Sequence, residues 1–192
     1  MIAIIKYNAG NISSVKNALD RLGCKSIITD NEQAIRKADK VILPGVGQAS
    51  TAMLYLREKK LDKLIQSLTQ PVLGICLGHQ LLCAYSQEDN TNCIGIFDTK
   101  ISLFPNTEIV PHMGWNNIET TDSPLFEGLT NEANFYFVHS YYAPLNKYSI
   151  ATCHYILPFS AAMQKNNFYA TQFHPEKSGN DGAKLLANFI KI

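Results

Sequence analysis

The chain has 192 residues, 46% of them hydrophobic and 17% charged, with a net charge of +1. A chain of that length buries a substantial core without disulfide or metal staples, and it reads as one domain spanning 1–192. The near-neutral charge excludes a broadly basic nucleic-acid-binding surface and an acidic disordered tail.

Ile2–Lys6 reads as a first buried strand. The run is too short to span a membrane and lacks the basic lead and cleavage site of a signal peptide, which predicts a cytoplasmic protein. Ile12, Val15, Leu19 and Leu22 recur at helical spacing and stop at Gly23. Lys25–Thr29 predicts a second strand, and Asp30 followed by Gln33 the capping box of a helix. Lys40–Leu43 is a third strand, closed by Pro44-Gly45-Val46-Gly47. Ala49–Leu68 reads as helix in two pieces, Val72–Ile75 as a strand and Leu77–Ser86 as a helix. Such alternation builds a parallel sheet with helices on both faces, and ligands bind beyond the carboxyl ends of its strands.

After Gln87 the pattern changes. Glu88–Cys93 is polar and loop-like. Short β-rich runs follow at Glu108–Val110, Trp115–Ile118, Asn134–Val138, Tyr148–Tyr155, Ala161–Gln164 and Phe168–Phe173. Ser178–Ile192 closes the chain as a helix, with Ser178 and Asp181 as its capping box and Leu185, Leu186, Phe189 and Ile190 as its buried stripe. The fold class is therefore α/β: three layers, a mostly parallel sheet with helices on both faces, plus additional antiparallel strands.

Five cysteines, odd in number and without a Cys-x-x-Cys pair, indicate neither a disulfide framework nor a zinc site. Four read as small hydrophobes. Cys76 differs, because Gly74-Ile75-Cys76-Leu77-Gly78 between a strand and a helix is a nucleophile elbow with sulfur in place of the hydroxyl. The helix N-terminus favours a thiolate there. A nucleophile needs a base and something to orient it. His79 points along the helix, and His154 sits in an alternating strand and reads as structural. His174 ends an apolar run and is followed by Pro175-Glu176, so it offers a base with its orienting carboxylate, stiffened by proline. The backbone N–H of Leu77 and the turn Pro44–Gly47 supply oxyanion donors. Gly45-x-Gly47-x-x-Ser50 also matches part of a dinucleotide fingerprint, but its last glycine is missing and it follows the third strand, not the first.

Gly74–Gln80 together with Gln172-Phe173-His174-Pro175-Glu176 resembles the class I glutamine amidotransferases, whose triad is cysteine, histidine and glutamate in that order. Asn8–Asn11, Pro44–Gly47, Pro111–Asn116, Phe135–Tyr142 and Glu176–Gly179 narrow the resemblance to the branch whose glutaminases serve histidine synthesis. The resemblance implies that Cys76 attacks glutamine, His174 carries protons and Glu176 orients the imidazole. It implies oxyanion donors at Val46 and Leu77, and glutamine-holding positions at Gly45, Gly47, Gln80, Ser140 and Tyr141. No cofactor or metal is implied. The implied partner is a (β/α)₈ cyclase subunit in a heterodimer, making imidazole glycerol phosphate and aminoimidazole carboxamide ribotide with the released ammonia.

Asn11, Trp115 and Lys177 are the interface candidates. Trp115, in a loop between Pro111 and Asn116, is the only tryptophan, a residue type enriched at interfaces. The glycine-flanked turn further predicts that the Gly45–Val46 peptide flips to complete the oxyanion hole when the cyclase is occupied. Two positions depart from the branch: Asn8, where glycine is usual and where asparagine is tolerable at positive φ, and Gln48, where a small residue is common. A paralogous glutaminase of the same fold, feeding a different synthase such as one in surface-sugar assembly, remains open. A stand-alone cysteine hydrolase would carry histidine where this chain has Leu77, and a binding module would leave nucleophile, base and carboxylate unexplained.

Overall fold

The computed structural model, which describes residues 1–130 and 132–192, places β1 (Ile2–Ile5) inside a sheet covered on both faces, so all four of its residues are buried. The chain continues through α1 (Ile12–Arg21), β2 (Ser26–Thr29), α2 (Glu32–Lys37), β3 (Lys40–Leu43), α3 (Ala49–Glu58), α4 (Leu61–Gln66), β4 (Val72–Ile75) and α5 (Leu77–Leu81). Then come β5 (Cys83–Ser86), β6 (Thr91–Asn92), β7 (Phe97–Leu103), β8 (His112–Asn117) and β9 (Glu119–Thr120). The last elements are β10 (Asn134–His139), β11 (Tyr141–Tyr142), β12 (Ser149–Tyr155), β13 (Leu157–Lys165), β14 (Phe168–Thr171) and α6 (Gly179–Lys191).

The described residues form an eight-stranded sheet in the order β2-β1-β3-β4-β14-β13-β12-β9. Its first five strands are parallel, and β13, β12 and β9 extend it antiparallel. Successive residues of a strand point to opposite faces, and the core divides accordingly. Ala3, Ile5, Val41 and Leu43 meet Ile35, Met53, Leu56, Leu64 and Leu81 of α2–α5. Ile2, Ile4, Ile42 and Leu73 meet Val15 and Leu19 of α1 and Leu185, Leu186 and Phe189 of α6. Each of the larger apolar side chains contributes about 1.5–3 kcal/mol by leaving water. Two smaller sheets, β10-β8 and β11-β7-β5-β6, stand beside the main one. Among the described residues, no helix is long and apolar enough to cross a membrane.

Several local expectations give way to tertiary contacts. The helix expected over Leu77–Ser86 stops at Leu81, because Ile94, Gly95 and Ile96 N–H groups take the carbonyls of Leu81, Cys83 and Leu82 at 2.8–2.9 Å. A continuing helix would need those carbonyls; the chain instead forms β5, parallel to β7, a strand that no run in the sequence pattern marks. Asn31, not Asp30, caps α2, its Oδ1 accepting from Ala34 N at 2.9 Å, and Asp30 accepts from Tyr55 Oη at 3.1 Å. The Ser178–Asp181 box does not form either. Ser178 Oγ accepts from Tyr136 N and donates to His174 O, and Asp181 accepts from Asn134 N, so both residues tie the start of α6 to β10 and the site.

Glu108–Val110 is not a strand; it has no neighbouring strand to pair with, and Glu108 and Ile109 lie in solvent. Trp115 lies within β8, paired with Tyr136 of β10, and not in a loop. His154 is exposed on β12, 3.6 Å from Glu119, so it has no part in the core. Asn8 has no positive φ; Asn11 does, at 66°.

Candidate active site

Parallel pairing sets the site. Ile75 at the end of β4 lies opposite Thr171 at the end of β14, so the two chains leave the sheet at one level. Cys76 follows Ile75, with its N–H donating to Thr171 O at 2.8 Å, and His174 comes three residues after Thr171. Cys76 has φ 52° and ψ −104°, a conformation costly for a residue with a side chain. The flanking glycines let this corner pack. A Cβ on Gly78 would lie 1.9 Å from Leu43 O, and one on Gly74 would lie 2.7 Å from Gly78 O.

Across from the thiol, His174 Nδ1 donates to Glu176 Oε1 at 2.8 Å, and Asn11 Nδ2 donates to the same oxygen at 2.5 Å. This bond assigns the His174 proton to Nδ1. Nε2, buried and without a hydrogen-bond partner, is the nitrogen available to a reacting group. Burial alone would lower the His174 pKa, but the charge of adjoining Cys76 and the Glu176 contact outweigh it and raise the pKa to about 10. Those interactions favour the protonated imidazole of His174. Pro175 fixes the short turn Pro175–Lys177, on which α6 packs so closely that a Cβ on Gly182 would meet Pro175 O at 1.9 Å.

Cys76 opens into a cavity of about 370 Å³ lined by Val46, Gly47, Leu77, Gln80, Ser140 and Tyr141, among others. All but Gly45 of the expected substrate and oxyanion positions therefore face one space. Glu88, expected only in a polar loop, reaches the same cavity, and its carboxylate accepts from Ala49 N at 2.7 Å. The size is that of a small-metabolite pocket.

The turn Pro44–Gly47 is held from three sides. Tyr7 Oη donates to Pro44 O, Gly10 N donates to Val46 O at 3.2 Å, and Leu77 N donates to Gly45 O at 3.2 Å. Gly45 at φ 151° and Gly47 at φ 128° occupy backbone conformations that favour glycine. The Leu77 N–H expected to stabilise an oxyanion is thus occupied by the turn. Gln48 Nε2, just beyond, donates to Asp89.

At and behind the cavity wall, buried polar groups make contacts that no single motif announced. Gln80 Nε2 donates to Tyr141 O and to Gln172 Oε1, each at 3.1 Å. His139 Nδ1 donates to Tyr141 O at 2.7 Å, and His112 Nδ1 donates to His139 Nε2 at 3.0 Å. Both rings are neutral, because burial lowers His112 to about 4 and His139 to about 3. These pairs join residues far apart in the chain. The signal for them was only that Gln172 and the histidines stood inside motifs already noted. Of the interface candidates, Trp115 is 58% exposed, Lys177 Nζ sits 5.9 Å over the Tyr136 ring, and Asn11 touches the Glu176 carboxylate directly.

A cysteine at a strand–helix corner, with a His–Glu pair just beyond the end of the adjacent parallel strand, defines a class of protein, and the chain belongs to it: the family model "Glutamine amidotransferase class-I" matches residues 3–192. Within that family, the chain is 54% identical over 194 residues to the imidazole glycerol phosphate synthase subunit HisH of Bacteroides fragilis (strain YCH46), covering 100% of this chain and 99% of that one. It is 50% identical over 192 residues to the HisH subunit of Pasteurella multocida (strain Pm70), covering 99% and 97%. Among solved structures, a glutamine amidotransferase from Thermotoga maritima superposes with a TM-score of 0.67 at 17% identity, covering 99% of this chain and 80% of that one, a likeness of fold.

Proposed function

We propose that this chain is the glutaminase subunit of an imidazole glycerol phosphate synthase, releasing ammonia from glutamine for a cyclase partner in histidine synthesis. The observation that carries the reading is Cys76 lining the cavity, with the hydrogen-bonded His174–Glu176 pair just beyond the strand paired with its own. Full-length identity of about half to synthase subunits supports the choice of pathway.

Glutamine enters with its carboxamide toward Cys76 and its α-amino group toward the Glu88 carboxylate. Cys76 Sγ attacks the carboxamide carbon, and the negative charge passes to its oxygen, beside Leu77 N–H and, once the turn rotates, Val46 N–H. The imidazolium of His174 protonates the departing nitrogen through Nε2, and ammonia leaves. His174 Nε2 then takes a proton from water, whose oxygen attacks the thioester, and glutamate departs as sulfur is released. Glu176 and Asn11 hold the ring so that one nitrogen serves both transfers.

Ammonia released to water would be protonated and lost as a nucleophile, so it passes directly to the partner. That partner is a cyclase of (β/α)₈ fold, docking over Asn11, Trp115 and Lys177 as a heterodimer in the cytoplasm. It uses the ammonia on a phosphoribosyl-formimino aminoimidazole carboxamide ribonucleotide. The test is Cys76→Ala in the complex: glutamine-dependent synthesis is expected to vanish while synthesis from added ammonium salt persists. Equal loss of both would overturn the reading.

A further inference from the structure

Nucleophile, base and oxyanion donors leave one buried group beside the sulfur unused. Gln172 is fully buried between β14 and His174, and its Nε2 lies 3.8 Å from Cys76 Sγ. Its neighbours determine which end of the amide faces the thiol. The Tyr141 carbonyl accepts only, so the Gln80 atom 3.1 Å from it is the nitrogen. That nitrogen's second contact, also at 3.1 Å, must then be an acceptor, which makes it Gln172 Oε1. His79 Nδ1 stands 3.3 Å from the same oxygen and so carries the proton. Burial lowers the His79 pKa to about 4 and keeps the ring neutral. With Oε1 taken by two donors, Gln172 turns its N–H groups to the sulfur.

We propose that Gln172 donates a hydrogen bond to the Cys76 thiolate, and that His79 and Gln80 are positioning residues that hold the amide in this orientation. The proposal deepens the reading of Cys76 as nucleophile and rests on it. An amide N–H interacts more strongly with an ionised sulfur than with a thiol, so its effect falls on the charged form. It acts twice, on the attacking thiolate and on the sulfur expelled from the thioester. α5 is only five residues long, which leaves the donor and His174 to do most of the stabilising.

The test is the pH dependence of Cys76 alkylation by iodoacetamide in the full-length chain, with the modified site assigned by mass spectrometry. Gln172→Leu is expected to move the profile upward by about one pH unit, a roughly tenfold slower reaction on its acid side. Gln172→Glu, which keeps the shape and replaces the donor by a carboxylate, moves it at least as far and serves if the leucine variant does not fold. His79→Leu shifts it in the same direction by less, and His79→Asn, whose amide nitrogen takes the place of Nδ1, restores the parent profile. Superimposable profiles for the parent and a folded Gln172 variant would overturn the donor role, and a His79→Asn profile like that of His79→Leu would overturn the positioning role. Alkylation requires neither glutamine nor cyclase, so these outcomes are distinct from a failure of the parent complex to use glutamine, which would sink the functional reading itself.

Discussion

Leu77 N–H donates to Gly45 O at 3.2 Å. The backbone N–H that follows Cys76 is therefore bound to the Pro44–Gly47 turn. Under the proposed function, rotation of the Gly45–Val46 peptide would withdraw that carbonyl, free Leu77 N–H and turn Val46 N–H toward the cavity. Glycine on both sides of Val46 makes the rotation sterically open, while Tyr7 and Gly10 tie down the carbonyls on either side of the moving peptide. Under the proposed function, that rotation is the change partner docking makes.

Gly45→Ala tests this arrangement. The added Cβ would fall 2.0 Å from Tyr7 Oη, in a backbone conformation that disfavours a side chain. Cyclase-stimulated glutamine turnover is expected to fall about 10²-fold, the worth of one oxyanion donor. Unstimulated turnover should fall much less, because the hole is closed in that state already. An unchanged ratio of stimulated to basal rate would contradict the peptide rotation.

Asn11→Ala removes a donor from the Glu176 carboxylate, and Asn11→Asp replaces it with a like charge. A hydrogen bond to a charged group is worth about 1.5–3 kcal/mol, so kcat of the alanine variant should fall roughly 10–100-fold with little change in KM for glutamine. The aspartate variant should fall further. Steady-state kinetics of the complex measure both, and a rise in KM at unchanged kcat would count against orientation of Glu176.

Stability should decline as pH falls below the ordinary histidine value of 6.5. His79, His112 and His139 have folded pKa values lowered by burial, to about 4, 4 and 3. Above 6.5 they are neutral in both states and contribute nothing; below it the unfolded chain takes up protons that the fold refuses. Each therefore lowers stability progressively as pH falls through that window, toward one proton's worth of slope. His174 has the opposite sign: its folded pKa is raised, so its contribution is whole below 6.5 and is lost as pH rises through about 10. Urea unfolding at about pH 7 and about pH 5 should show a large loss for the parent and a smaller one for His139→Asn. Equal losses would contradict the assignment.

Trp115 and Met113 project from β8, 58% and 62% exposed, beside the Tyr136–Lys177 pair. If the cyclase docks there, Trp115→Ala should weaken the complex by about 2 kcal/mol, near 30-fold in Kd, with the fold unaltered. Titration calorimetry decides it; an unchanged Kd would move the interface elsewhere.

What the sequence revealed followed from how local each signal is. Strand and helix alternation over the first half was plain, because apolar residues repeat at spacings that one element sets alone. The helix assigned to Leu77–Ser86 failed where Ile94–Ile96 capture its carbonyls, a contact made from a distant stretch with no strand signal of its own. Both capping boxes failed for a similar reason: Asp30 answers Tyr55, and Ser178 answers Tyr136. At the site, the elbow and His174-Pro175-Glu176 were readable as short runs of neighbours. Asn11 on Glu176, Gln172 behind Cys76 and the occupied Leu77 N–H bring together residues up to 165 positions apart, and no spacing encodes them.

The most direct measurement is glutamine hydrolysis by the purified chain, alone and with a cyclase subunit carrying its nucleotide substrate. Slow hydrolysis alone, rising by two or more orders of magnitude (about 10²-fold, one oxyanion donor's worth) in the loaded complex, is the expected result. Equal rates in both states would contradict a site that its partner completes.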